Sequence, residues 1–178
     1  DRMAVFLSYR REDSIDITAR IEDRLRAHLG TKQVFRDVNS VALGQDFVDA
    51  LDAALADSSV ILVVIGPRWL RSPNDSQRDY VYVEVSHALS RGIPVVPVLV
   101  SDAELPHAEQ LPPALRALLN RQACRVDSGH GFEGDVRDLI SGIADYLPVA
   151  APQRINALSG SSEVDTTPRA RRGWLLIA

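Results

Sequence analysis

An α/β domain built on an open parallel sheet, with helices on both faces, is the fold class this sequence predicts, and three observations carry it. Runs of consecutive apolar residues, at 4–7 and again at 60–65, suit strands covered on both faces. Stretches with apolar residues at helical spacing separate those runs, so strand and helix patterns alternate along the chain. Hydrophobic residues make up 46% of the 178, enough for one sizeable core and one domain with a tail.

The elements follow in order. Ala4, Val5, Phe6 and Leu7 form the first strand, and Ser8-Tyr9-Arg10-Arg11-Glu12-Asp13 follows at once. Residues just past a strand's carboxyl end face a ligand crevice where that strand borders a topological switch point. A hydroxyl, a phenol and two guanidiniums there suit an anion; a solvated strand-to-helix loop is the plain alternative. Ile17, Ile21, Leu25 and Leu29 recur at four-residue steps, an amphipathic helix with Asp13 or Ser14 as its cap and Gly30 as its end. A short strand is expected over 33–36, then a polar stretch over 37–44. Phe47, Leu51, Ala54 and Leu55 mark a second helix, and the next strand, 60–65, closes on Gly66-Pro67.

Between that strand and the next, over 95–100, the stretch Tyr80-Val81-Tyr82-Val83-Glu84-Val85 alternates with period two, as a strand does. Val81, Val85, Ala88 and Leu89 keep a helical stripe through a longer window, which predicts a helix capped by Asn74, Asp75 or Ser76 and running to Arg91. That helix places Tyr80, Glu84, His87 and Arg91 on a second face. Pro112 or Pro113 opens a short helix, 123–126 is a fifth strand, and 132–146 is a last helix with Val136, Leu139, Ile140, Ile143 and Leu147 on its apolar face.

Composition narrows the function classes. A formal charge of −4 with no long basic stretch argues against nucleic acid as a partner. The single cysteine, Cys124, cannot form an internal disulfide and fits a reducing, cytoplasmic setting. No metal-ligand spacing appears among His28, His87, His107 and His130, and nothing at the start resembles a signal peptide. Gly129-His130-Gly131-Phe132-Glu133-Gly134 fits the dinucleotide pattern G-x-G-x-x-G, yet no further strand follows to complete a βαβ unit. A glycine-rich turn introducing the last helix is the simpler reading.

Three boxes together point further. Val5-Phe6-Leu7-Ser8-Tyr9-Arg10-Arg11, then Val34-Phe35-Arg36-Asp37-Val38 with Gly44 seven residues past Asp37, then Asp79-Tyr80-Val81-Tyr82-Val83-Glu84 resemble, in order and spacing, those of a TIR (Toll/interleukin receptor) domain. The resemblance covers 3–147 and is strongest to bacterial TIR domains and to the TIR domain of the animal axon-degeneration NAD hydrolase; Lys32 as the one lysine among many arginines agrees with a GC-rich, bacterial source. It implies a flavodoxin-like fold with strand order 2-1-3-4-5 and a crevice between strands one and three.

For activity, the resemblance implies an NAD+ nucleosidase that releases nicotinamide by hydrolysis or cyclisation, in bacterial immune signalling or antiphage defence, with NAD+ as substrate and no cofactor or metal. Glu84 falls at the position of the catalytic glutamate. A carboxylate suits the work, because breaking an N-glycosidic bond leaves an oxocarbenium-like charge on the ribose. Ser8, Tyr9, Arg10, Arg11 and Asp37 match the mouth of the site, and Phe47, Trp69 and Tyr80 are candidate ring platforms. Trp69 after a strand end is also read as packing, and Tyr80 stands where active members often carry tryptophan. The other reading is a non-catalytic scaffold that assembles with other TIR domains through the 37–44 loop. Self-association is compatible with both.

The domain is expected to end at 147, with 148–178 as linker and tail. Pro148, Pro152, Ser159-Gly160-Ser161-Ser162 and Pro168 describe a flexible linker. Arg169, Arg171 and Arg172 before Gly173-Trp174-Leu175-Leu176-Ile177-Ala178 have the pattern of the cytoplasmic edge of a membrane span. Six residues do not cross a bilayer, which takes about twenty. The expectations are a membrane tether or further module beyond Ala178, or a tail that docks on a neighbouring subunit.

Overall fold

The computed structural model describes residues 5–36, 46–70 and 79–147. Five parallel strands, β1 (Val5–Ser8), β2 (Val34–Arg36), β3 (Val60–Ile65), β4 (Val95–Val100) and β5 (Cys124–Val126), form one sheet in the order β2-β1-β3-β4-β5. This is the flavodoxin-like order expected. In register, Val5 lies beside Val34 and Val60, and Ser8 beside Val63. From β1 the chain moves one way along the sheet, to β2, and from β3 it moves the other way, so the topological switch point lies at the carboxyl ends of those two strands.

Strand alternation divides the core in two. Val5, Leu7, Leu62, Val64, Val98 and Val100 pack under α1 (Arg11–Leu29) and α4 (Phe132–Ile143), where Ile17, Ile21, Leu25, Val136, Leu139 and Ile143 meet them. Phe6, Ile61, Val63, Ile65, Val95 and Leu99 face the other way, toward Leu51, Ala54 and Leu55 of α2 (Phe47–Asp57) and Val81, Val85 and Ala88 of α3 (Tyr80–Ser90). All six residues of β3 are buried, which is why that run reads as unbroken apolar sequence.

Several boundaries differ from expectation for identifiable reasons. Neither Asp13 nor Ser14 caps α1, which begins at Arg11; Ser14 sits at a kink (φ −145°, ψ 23°), and the Asp13 carboxylate is used elsewhere. The helix before β4 starts at Tyr80 with Asp79 as its cap, its carboxylate accepting from Tyr82 N; Asn74, Asp75 and Ser76 lie outside the described residues. The segment opened by Pro113 is a 3₁₀ helix over Pro113–Asn120, and the last helix tightens into a 3₁₀ turn over Ala144–Tyr146. Gly30 ends α1 with φ 96°, as expected of a C-terminal glycine. Residues 37–44 and 148–178 also fall outside the described residues. No described helix is long and apolar enough to cross a membrane.

Side chains of the β1–α1 turn grip the end of β3. Asp13 accepts from Gly66 N at 2.8 Å and from Arg68 N at 2.7 Å. A Cβ on Gly66 would stand 2.6 Å from an Asp13 carboxylate oxygen that those two amides hold in place. Gly66→Ala is therefore expected to destabilise by about 1–3 kcal/mol. Gly134, in α4 with open space at its Cβ position, is the contrast: Gly134→Ala is expected to stabilise by about 0.5–1 kcal/mol. Urea midpoints of the two variants against wild type check both signs.

Candidate functional site

Alternation along β1 continues past its last residue and sorts the predicted site residues. Arg10 keeps an extended backbone (φ −99°, ψ 128°), so Ser8 and Arg10 follow Phe6 toward the α3 face while Tyr9 follows Leu7 to the α1 face. Tyr9 accordingly packs in the α1/α4 core, with the Arg36 guanidinium carbon 5.6 Å from its ring centroid. Arg36 also pairs with Glu22 of α1 at 2.8 Å, which ties the end of β2 to that helix.

On the other face Ser8, wholly buried, donates its hydroxyl to Glu84 Oε2 at 2.7 Å. Glu84 is only 6% exposed. Spacing along α3 predicts a face shared with Tyr80, His87 and Arg91; instead Glu84 lies in the buried stripe with Val81, Val85 and Ala88, because positions 81, 84, 85 and 88 share one side of a helix. Tyr80 is exposed at the start of α3, and His87 and Arg91 reach Asp52 of α2 at 3.0 and 2.7 Å, pinning the two helices together.

Arg10 is also 6% exposed, and its guanidinium is engaged on three sides. Nε donates to the Trp69 carbonyl, while Nη1 and Nη2 donate to the two carboxylate oxygens of Asp79 at 2.9 and 2.7 Å. A buried charge demands such pairing, and the two-pronged fork is its strong form. The Trp69 ring, 2% exposed, belongs to the α2/α3 core with the Arg10 guanidinium 5.6 Å from its centroid. Its Nε1–H has no hydrogen-bond partner among the described residues. Arg11 is exposed at the first turn of α1 and lines, with Asp13, Arg68, Ser101 and Ser128, a hollow of about 290 Å³ on that side.

Of the residues singled out from sequence, then, Ser8, Arg10, Trp69 and Glu84 converge, Tyr80 stands one turn before Glu84, and Tyr9 and Arg11 face elsewhere. Asp37 lies outside the described residues; Phe47 opens α2. Asp13 and Asp79 are supports of the site that the sequence boxes do not mark as such. The signal for Asp79 was an aspartate directly before the helical stripe, a preferred capping position.

The glycine-rich turn before α4 is occupied by its own carboxylate. Asp127 accepts from Gly131 N at 3.1 Å, and Asp135 accepts from Asp127 N at 2.7 Å. A phosphate there would meet negative charge, which bears out the reading of this motif as a helix-introducing turn. Burial pushes the Cys124 thiol above its ordinary range, helped by Asp135 and Asp138. Among the described residues no group of three or more His, Cys, Asp or Glu is placed to hold a metal ion.

The fold and site define an open α/β domain with a buried carboxylate and guanidinium at the carboxyl edge of its two central strands. The family model for the TIR domain matches residues 5–140, and the chain belongs to that family. A search of curated proteins finds no match. Among solved structures, the TIR domains of the activated Roq1 resistosome, which recognises the pathogen effector XopQ, are 18% identical with TM-score 0.56, over 80% of this chain and 98% of that one. The TIR domain of the Toll-related receptor TRR-2 from Hydra magnipapillata is 18% identical with TM-score 0.52, over 79% and 97%. A TIR-STING receptor from C. gigas, solved with 2′,3′-cGAMP, gives 18% and 0.52 over 75% of this chain and 38% of its own. At such identity these likenesses carry the fold alone.

Backbone hydrogen bonds from Gly129 and Gly131 hold the Asp127 carboxyl below its ordinary value of 3.8. A depressed carboxyl stabilises the fold fully above the ordinary value, and that contribution is lost as pH falls through the native one. The melting-temperature gap between wild type and Asp127→Asn is therefore expected to be constant above about pH 5 and to shrink below about pH 4. A gap that is the same at about pH 6 and about pH 3 would contradict this.

Proposed function

We propose that this TIR domain is an NAD+ nucleosidase with Glu84 as its catalytic carboxylate. The observation that supports it most is the placing of Glu84: an acidic side chain in an apolar stripe, 6% exposed, hydrogen-bonded to Ser8 where β1 ends at the switch point. A carboxylate taken that far from water is costly to bury, and a titratable group held so at a switch point is a candidate functional group. The resemblance in the three boxes supplies the substrate class.

In the proposed reaction the bond between the nicotinamide nitrogen and ribose C1′ breaks, and its electron pair leaves with nicotinamide, quenching the ring's positive charge. The ribose carries the oxocarbenium-like charge, which the Glu84 carboxylate stabilises at short range in a low-dielectric setting. Water then adds at C1′ and releases a proton, giving ADP-ribose; attack by a nitrogen of the adenine ring instead gives a cyclic product. Tyr80, exposed one helical turn before Glu84, is the ring platform in this reading. Arg11, exposed at the first turn of α1, lines the hollow on the α1 side and takes no part in the site in this reading. The setting proposed is immune signalling, with assembly between TIR domains switching the activity on.

Concentrated or tag-clustered protein incubated with NAD+ is expected to release nicotinamide, measured by chromatography, with mass spectrometry identifying the second product. Glu84→Gln is expected to lower the rate by about 10²–10³-fold or more while leaving the fold intact. No release under clustered conditions, with Glu84→Ala indistinguishable from wild type, favours the scaffold reading instead.

A further inference from the structure

We propose that Arg10 and Asp79 form the positioning device that sets Glu84 in place, acting through the first turn of α3 and not on the substrate; this deepens, and rests on, the nucleosidase reading above.

The end of β1 offers α3 two handholds. Ser8 holds Glu84 and Arg10 holds Asp79, both from the same side of an extended backbone. The spacing matches. Two strand residues span about 6.6 Å, and the five steps from Asp79 to Glu84 span about 7.5 Å along a helix axis. A slide or rotation of α3 against β1 breaks both bonds together. Asp79 is more than an anion for Arg10, since its carboxylate also accepts from Tyr82 N and its carbonyl accepts from Val83 N, so the residue that the guanidinium holds starts the helix. Arg10 Nε ties in the Trp69 carbonyl as well, which fixes the chain leaving β3 to the same anchor.

The geometry also says which replacements separate the roles. Lysine keeps the charge of Arg10 but lacks the planar fork that meets two oxygens and a carbonyl at once. Asparagine at position 79 keeps an oxygen for capping and loses half of the paired acceptance. Because misplacing a catalytic group by about 1 Å costs about 10²-fold in rate, both changes act on turnover and not on binding.

The test uses the full chain with Arg10→Lys, Asp79→Asn and the double variant, reading kcat and KM for NAD+ and amide hydrogen exchange by mass spectrometry. Each single variant is expected to lose about 10²-fold in kcat with KM within about threefold of wild type. The double variant should be no worse than the poorer single, as for two halves of one interaction. Exchange over 79–85 should accelerate while β1 and β3 stay protected. A raised KM at unchanged kcat would put Arg10 on the substrate, and multiplicative losses would show that the two act separately; either overturns the proposal. Unchanged exchange over 79–85 overturns it whether or not the protein cleaves NAD+. A wild-type protein that releases no nicotinamide defeats the nucleosidase reading, and exchange alone then decides the pair. If Arg10→Lys does not fold, Asp79→Asn carries both readouts.

Discussion

Arg10 is a full positive charge with almost no access to water, and the carboxyl edge of the sheet is organised around that constraint. A guanidinium buried to this degree needs acceptors on every side. It takes them from two separate places in the chain, the Trp69 carbonyl after β3 and the Asp79 carboxylate that begins α3. Beside it Asp13 does the reverse, accepting from two amides at the end of β3. Three short-range requirements of buried or half-buried polar groups thus bind the β1–α1 turn to the β3–α3 connection. Packing alone would leave that connection free to shift, since apolar contacts have little directional preference.

The placing of Glu84 follows from this frame. Helix α3 lies against the sheet through Val81, Val85 and Ala88, and the same periodicity turns position 84 inward. An apolar residue there would simply extend the core. A carboxylate instead places a polar group, hydrogen-bonded to the Ser8 hydroxyl, at the carboxyl ends of the two strands where the chain's direction along the sheet reverses. Burial of that kind is how a carboxylate comes to act on a neighbouring developing charge with full electrostatic strength.

Much of the fold was legible because its signals are local and repeated. The apolar run of β3, the four-residue steps of α1 and the glycine that ends it are each sufficient on their own. The Tyr80–Val85 stretch shows where a longer window must overrule a short one: its period-two pattern yields to the stripe through Ala88, since tertiary packing decides such contests. At the site, residue types were legible and directions were not. Tyr9 and Arg10 are adjacent in one basic, aromatic box, yet alternation sends them to opposite faces. Arg10 looks like an anion receptor in sequence; that its charge meets an internal carboxylate depends on contacts 59 and 69 residues away. The same holds for Asp13, whose position suggests a cap and whose partners lie 53 and 55 residues on.

Chemical-shift mapping most directly tests the proposed substrate crevice at the carboxyl ends of β1 and β3. ¹⁵N-labelled Glu84→Gln protein titrated with NAD+ is expected to show perturbed amides over 8–11 and 80–84, together with the Trp69 indole N–H, which has no described partner to hold its shift. Perturbations confined to the opposite surface around Arg24 and Arg137, or none at saturating NAD+, would contradict it.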